Sequence, residues 1–258
     1  MLLTVLGEFV LPCGGSVWTA TVLDALAALG LEEGAARQAM ARTSARGLLR
    51  RERQGRRTQW SLTERSTRLL VEGTERIYSF GLGCTEWDGE WLLLLVKVPE
   101  ENRHLRAQLR TRLGWLGFGS LGGGNWVTPW SERELEAKDT LAELGLAGGS
   151  LSWRGRPGDL GSLEERVGDI WDLPAVAREY EEFVTNSLAE APDSPVNAFA
   201  ALTRLVHDWR HFPATDPGLP AMLLPESWPA VGAAHLFHDK HDEWAPGAWA
   251  WWREHSSE

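Results

Sequence analysis

The segment from Leu205 to Pro229, LVHDWRHFPATDPGLPAMLLPESWP, contains His207-Asp208-Trp209-Arg210-His211, two imidazoles four residues apart with a carboxylate between them. On a helix this spacing puts both rings on one face, where they could share a zinc ion while Asp208 activates a bound water. His235, His238 and His241 come next at three-residue spacing, so five of the seven histidines fall in this part of the chain. The chemistry they spell is that of a metal-dependent hydrolase. Against it, catalytic zinc commonly takes three protein ligands and keeps a position open for water. A helix would also have to continue past its second ligand, and Phe212-Pro213 follows His211 at once. Asp208 has less reach than the glutamate that usually acts as base. The expectation is no catalytic residue and no metal, with Trp209 packing and Pro217, Pro220, Pro225 and Pro229 fixing an extended crossing.

A second set of residues suggests different chemistry. Residues 1–76 hold 11 arginines and eight carboxylates, a balance of +3, whereas residues 77–258 hold 15 basic and 28 acidic residues, a balance of −13. Between Arg37 and Arg68 there are ten arginines, no lysine, and only Glu52 and Glu64 to oppose them. The overall charge of −10 therefore hides a basic footprint of the kind that meets a polyanion. Arginine suits that task because its planar fork can meet guanine O6 and N7, or two phosphate oxygens, at once.

The elements that must position these arginines can be read from the pattern. Leu2, Leu3, Val5, Leu6, Phe9 and Val10 recur at helical spacing until Pro12 and Gly14-Gly15 break the run. Ser16 is expected to cap a second helix, VWTATVLDALAALG, with Gly30 as its left-handed stop. A third helix, EEGAARQAMARTSAR, opens on acids near its positive end and stops at Gly47. Its inward stripe is Ala36, Ala39, Met40 and Thr43, leaving Arg37, Gln38, Ala41, Arg42 and Ala45 on another face. The runs LLRRE and TQWSL, joined by Arg53-Gln54-Gly55-Arg56-Arg57, read as a basic hairpin, and Thr63 caps a fourth helix. This order is that of a winged helix-turn-helix, whose third helix enters the major groove while the hairpin grips backbone. Arg37, Gln38 and Arg42 are the expected base readers. Arg46, Arg53, Arg56 and Arg57 complete the expected contact set on double-stranded DNA.

Beyond an exchange region, Gly73 to Gly89, WLLLLVKV reads as a buried strand, followed by an amphipathic helix, the strands FGSL and NWVTPW around Gly122-Gly123-Gly124, a second helix and a last strand near SLSWR. The order β-α-β-β-α-β is that of a ferredoxin-like module. The three glycines lack the helix and Gly-Lys-Ser/Thr ending of a phosphate loop and are expected to form a hairpin turn. From about Leu160 the pattern is helical, and only Ser256 to Glu258 are expected to be disordered. The fold class is thus α+β in three parts: a winged helix-turn-helix over 1–76, a ferredoxin-like domain over 77–158, and a helical effector-sensing and dimerisation domain over 159–258. Cys13 and Cys84 are the only cysteines, which leaves no disulfide framework and fits a reducing cytoplasm. No apolar run is long enough to cross a bilayer, and no signal peptide or cofactor motif is present.

The segments LGEFV, GGSVWTATVLDALAALGLEEGAARQAMARTSARGLL, WDGEWLLLLV, GFGSLGGGNWVTPW, WDLPAVAREYEEFV and LVHDWRHFPATDPGLPAMLLPESWP together resemble the PaaX family of phenylacetate-degradation repressors, over almost the whole chain. The resemblance implies a homodimeric, cytoplasmic transcriptional regulator released from operator DNA by an acyl-coenzyme A such as phenylacetyl-coenzyme A. It also implies a Ser-Arg-Leu run late in the third helix, where this chain has Ala41-Arg42-Thr43, and a leader ahead of the first helix. Thr43 then places a hydroxyl at an expected core position. For the effector, Trp126, Trp130 and Trp209 are the expected walls around an aryl group, with His207 and Arg210 facing its phosphate or thioester groups.

Overall fold

The computed structural model describes residues 1–83 and 86–256; Cys84, Ser257 and Glu258, on which sequence expectations rest, lie outside the described residues. The chain opens on α1 (Leu2–Val5), which widens into a π-helical turn over Leu6–Val10. Gly14 and Gly15 then adopt φ values of 87° and 73°, conformations that glycine enters without a side-chain clash. The next segment departs from the expected capped helix. Ser16–Trp18 forms a strand, β1, and helix α2 (Thr19–Ala28) begins only at Thr19, with Trp18 in the extended cap position. Ser16 is no cap, because its hydroxyl bonds that of Ser61 across the sheet at 3.0 Å.

Helix α3 (Glu33–Ala45) is followed by β2 (Leu49–Gln54) and β3 (Arg57–Leu62), an antiparallel hairpin to which β1 adds in the order β1-β3-β2. Thr63 caps α4 (Glu64–Ser79) reciprocally: its hydroxyl accepts from the Ser66 amide at 3.2 Å, and the Ser66 hydroxyl accepts from the Thr63 amide at 2.9 Å. The helix runs through Gly73 and on to Ser79, so the expected exchange region is helical in its first part. Tertiary contact accounts for the extension, since Tyr78 donates to Glu8 at 2.8 Å.

Then come β4 (Trp91–Val96), α5 (Leu105–Trp115), β5 (Gly119–Gly122), β6 (Asn125–Thr128), α6 (Glu134–Glu143) and β7 (Ser150–Gly155), in the expected β-α-β-β-α-β order. The sheet is antiparallel with order β5-β6-β4-β7. Strand periodicity divides its faces: Leu92, Leu94 and Val96 pack with Leu109 and Leu113 of α5 and Leu141 of α6, while Trp91 packs with Val127, Val167 and Leu173. The remaining chain is helical: α7 (Val167–Ile170), α8 (Leu173–Ala189), α9 (Pro195–Trp209), α10 (Phe212–Thr215) and α11 (Ala230–Ser256). Ser256, expected to be disordered, closes α11.

The chain divides into two compact units. One comprises Met1–Phe80, Phe183–Arg210 and Gly232–Glu258; the other comprises Gly81–Glu182 and His211–Val231. In the first, Phe9 is fully buried among Phe199, Trp249 and Trp252, at ring separations of 4.9, 5.2 and 5.2 Å. Such ring pairs contribute about 0.5–1.5 kcal/mol each beyond the area they bury. The earliest helix of the chain thus shares a core with α9 and α11.

Candidate nucleic-acid interface

Helix α3 presents two faces, as its spacing requires. Ala36 and Met40 are buried and Ala39 and Thr43 half-buried, whereas Arg37, Gln38, Ala41, Arg42 and Ala45 are all exposed. The departure at Thr43 is absorbed locally, because its hydroxyl donates to the Ala39 carbonyl at 2.8 Å. Arg37 is turned back along the helix to Glu33 at 2.7 Å, an exposed pair whose worth is a few tenths of a kcal/mol, about 0.3–0.5. It can leave Glu33 at little cost. The side chains of Gln38, Arg42, Arg46 and Arg56 are exposed and have no ion-pair partner among the described residues.

The hairpin is held in place by one threonine. Thr19, the first residue of α2, donates to the Thr58 carbonyl at 2.9 Å and accepts from the Trp60 indole N–H at 2.9 Å. Trp60 is buried, and Arg51, its cross-strand partner, lies over the ring at 5.8 Å. Arg57 lies over Trp18 at 5.9 Å. These cation–π contacts orient two guanidinium groups without neutralising them. At the tip, Gly55 has a φ of 63° and its carbonyl accepts from Arg53 at 3.1 Å.

Between α3 and the hairpin lies a groove of about 770 Å³, lined by Arg37, Met40 and Ala41 on one side and by Arg51, Arg56 and Arg57 on the other. Arg37, Arg56 and Arg57 are thus brought together, while Gln38, Arg42, Arg46 and Arg53 lie exposed outside the groove lining. Sequence reading missed Arg51, Trp18 and Trp60, which also line this groove. The register of the hairpin, Arg51 opposite Trp60, was the signal that could have found one pair. It also missed Glu254 and His255 at the end of α11, which line the same groove. The Thr21 hydroxyl donates to the His255 carbonyl at 2.9 Å, and no local pattern announces a contact across that much sequence.

The histidine segment is built differently. Helix α9 ends at Trp209, and His211 stands in the cap position of α10, so the two imidazoles do not share a helix face as the i,i+4 spacing suggested. His207 Nδ1 lies 3.1 Å from the Thr4 hydroxyl and 3.2 Å from the Met1 nitrogen. Burial, then the positive charges of the amino terminus and Arg210, push its pKa down to about 4. It is neutral at physiological pH and already engaged. His211 is paired instead with Glu179 at 3.5 Å. Desolvation and Glu190 hold Asp208 above the usual carboxylate range.

Of the other histidines, His235 is exposed, and His241 bonds Glu8 at 2.9 Å within a network that includes Tyr78. Among the described residues, no group of three or more histidine, cysteine, aspartate or glutamate side chains is placed to hold a metal ion. The hydrolase reading of His207, Asp208 and His211 has no support in this geometry.

The aromatic candidates fall in different units. Trp209 is fully buried, stacked on Phe237 at 5.0 Å, and its indole N–H donates to the Ile77 carbonyl at 2.9 Å. Arg210 reaches the Thr4 hydroxyl at 3.3 Å. In the other unit, Trp130 is buried with its N–H on the Gly218 carbonyl at 2.9 Å. Trp126 is also buried, but its indole N–H has no hydrogen-bond partner among the described residues. Among the described residues, no helix is long and apolar enough to cross a membrane.

Residues 1–66 match the PaaX-like protein family, residues 84–165 the PaaX protein central Cas2-like domain, and residues 171–254 the PaaX-like protein C-terminal domain. The chain is 31% identical over 248 residues to the transcriptional repressor PaaX of Escherichia coli (strain K12), covering 92% of this chain and 77% of that protein. Its fold is similar to that of the uncharacterized protein Rv0674 from Mycobacterium tuberculosis, with a TM-score of 0.64 and 24% identity over 95% of this chain and 94% of the other. With three successive family regions matched along its length, this chain belongs to the PaaX family.

Proposed function

We propose that the protein is a DNA-binding transcriptional repressor in which residues 1–76 act as a winged helix-turn-helix. The observation that carries this reading is the exposed basic surface of α3 and the β2–β3 hairpin flanking one groove. In this reading α3 enters the major groove, with Arg42 and Gln38 at base edges, and Arg37 joins them on release from Glu33. Arg46, Arg53, Arg56 and Arg57 meet phosphates and set the register on the duplex. The similarity to a protein named as a transcriptional repressor supports the same assignment. No catalytic role is assigned to any residue.

The protein binds operator DNA as a homodimer and is released by an acyl-coenzyme A, phenylacetyl-coenzyme A being the first to try. Effector and operator must then favour different spacings of the two recognition helices, which on DNA sit about 34 Å apart or a multiple of one turn. The test is fluorescence anisotropy with DNA from upstream of the protein's own gene, at two salt concentrations, with and without phenylacetyl-coenzyme A. Tight, salt-sensitive binding relieved by the thioester is the expected result. Absence of specific binding, or a strict monomer on DNA, would sink the reading.

A further inference from the structure

The groove between α3 and the β2–β3 hairpin is not lined by cations alone. Arg37, Arg51, Arg56 and Arg57 share it with two carboxylates, Asp24 of α2 and Glu254 near the end of α11. Both carboxylates are exposed, and neither has an ion-pair partner among the described residues, although four guanidinium groups line the same space. We propose that Glu254, assisted by Asp24, repels DNA phosphates at this groove and so determines specificity. It weakens duplexes held by backbone contacts alone and leaves retention to the base contacts of α3. The inference deepens the DNA-binding reading above and rests on it.

Position is the first support. Glu254 lies in the last turn of α11, and that end is fixed from two directions. The Thr21 hydroxyl, buried near the start of α2, donates to the His255 carbonyl at 2.9 Å. On the other side Trp251 and Trp252 are buried, with ring separations of 4.2 and 6.2 Å to Phe199, and the His255 ring stacks on Trp251 at 4.2 Å. A glutamate on a loose tail would swing away from an approaching polyanion. This one is carried by a helix end bonded to α2 and packed into the core, so its charge stays beside the arginines.

The second support is the pairing pattern. Carboxylates that served to organise the arginines would be paired with them, as Glu33 is with Arg37 at 2.7 Å. Arg51 and Arg57 are oriented instead over Trp60 and Trp18. Arg253, next to Glu254 in the chain, donates to the Trp249 carbonyl at 3.2 Å and is not part of the groove lining. An uncompensated carboxylate beside a phosphate costs affinity on every sequence alike, because phosphates carry no sequence information. A nonspecific complex has only such contacts, whereas at a specific site base contacts make up the loss. A carboxylate can also accept from cytosine N4, and that alternative predicts the opposite sign on operator DNA.

The test is fluorescence anisotropy of the full chain on DNA from upstream of its own gene and on an unrelated duplex of equal length. Glu254→Gln keeps the shape and removes the charge; it should bind the unrelated duplex about threefold or more tighter at low salt. That gain should shrink as salt rises, since exposed charges are screened. Glu254→Lys should gain more and steepen the salt slope by about one unit. Asp24→Asn should gain in the same direction. Unchanged affinity for the unrelated duplex in both Glu254 variants would overturn the proposal. So would a loss confined to the upstream DNA, which would make Glu254 a reader of bases. A wild type that binds neither duplex would instead remove the DNA reading itself, and this inference with it.

Discussion

Two stretches of this chain are dense in residues that could do chemistry, and they end in opposite states. The arginines of α3 and the β2–β3 hairpin are exposed, and several have no partner among the described residues. The residues around His207 are engaged: the imidazole meets Thr4, and the Trp209 indole donates to a carbonyl. A side chain whose donors and acceptors are filled from within serves the fold, whereas one left charged and unfilled at the surface is available to a partner. Residue type and spacing alone do not separate the two cases, because both segments satisfy a motif.

The contrast can be attacked from either side. The largest effect expected is Trp209→Ala, which removes a fully buried ring and leaves a cavity; a loss of about 3–5 kcal/mol is expected in denaturant unfolding, with no metal needed to restore it. A near-neutral Trp209→Ala would return that segment to the functional surfaces. Arg42→Ala should leave unfolding unchanged and weaken specific operator binding by about 1–3 kcal/mol if the side chain reads a base. Unchanged affinity would remove Arg42 from the interface. Arg56→Ala should weaken binding to all sequences alike and lower the salt slope by about one unit, as for one phosphate contact; a loss confined to the operator would make the hairpin a reader of bases.

The smallest effect concerns pH. Because the fold holds His207 at a pKa of about 4, below the ordinary value of 6.5, the unfolded chain takes up a proton that the native chain refuses between those values. The contribution of neutral His207 is therefore complete above pH 6.5 and is lost as pH falls toward 4. His207→Gln should flatten the dependence of the melting temperature on pH across that window. A slope unaltered by the substitution would mean that the acid sensitivity resides elsewhere. His207 is not deeply enclosed, so solvent keeps the effect modest.

Much of the fold was legible where local pattern and tertiary role agree. WLLLLV alternates onto two apolar faces, and the glycines after FGSL mark its hairpin, so the central β-α-β-β-α-β order could be read directly. The two faces of α3 were legible for the same reason. The illegible parts depend on contacts distant in sequence. Ser16–Trp18 is too short to show a strand period and abuts a helix, and it becomes β1 only because β3 lies beside it, pairing Val17 with Trp60. The end of α9 at Trp209 was hinted at by Phe212-Pro213, yet Pro213 in fact opens a further short helix, α10. Nor does a run of helices say which unit each joins. The helical third divides between both, because burial follows the available apolar surface rather than chain order.

The placement of Phe9 bears on how such a protein can be taken apart. Residues 1–76 look like a transferable cassette, the kind of segment that gene fusion or an engineer would graft onto another sensor. Yet Phe9 is buried against Phe199, Trp249 and Trp252. Cut free, the cassette would carry an uncovered aromatic patch, prone to aggregate. A graft that keeps this core intact therefore has to carry α9 and α11 along with the first helix.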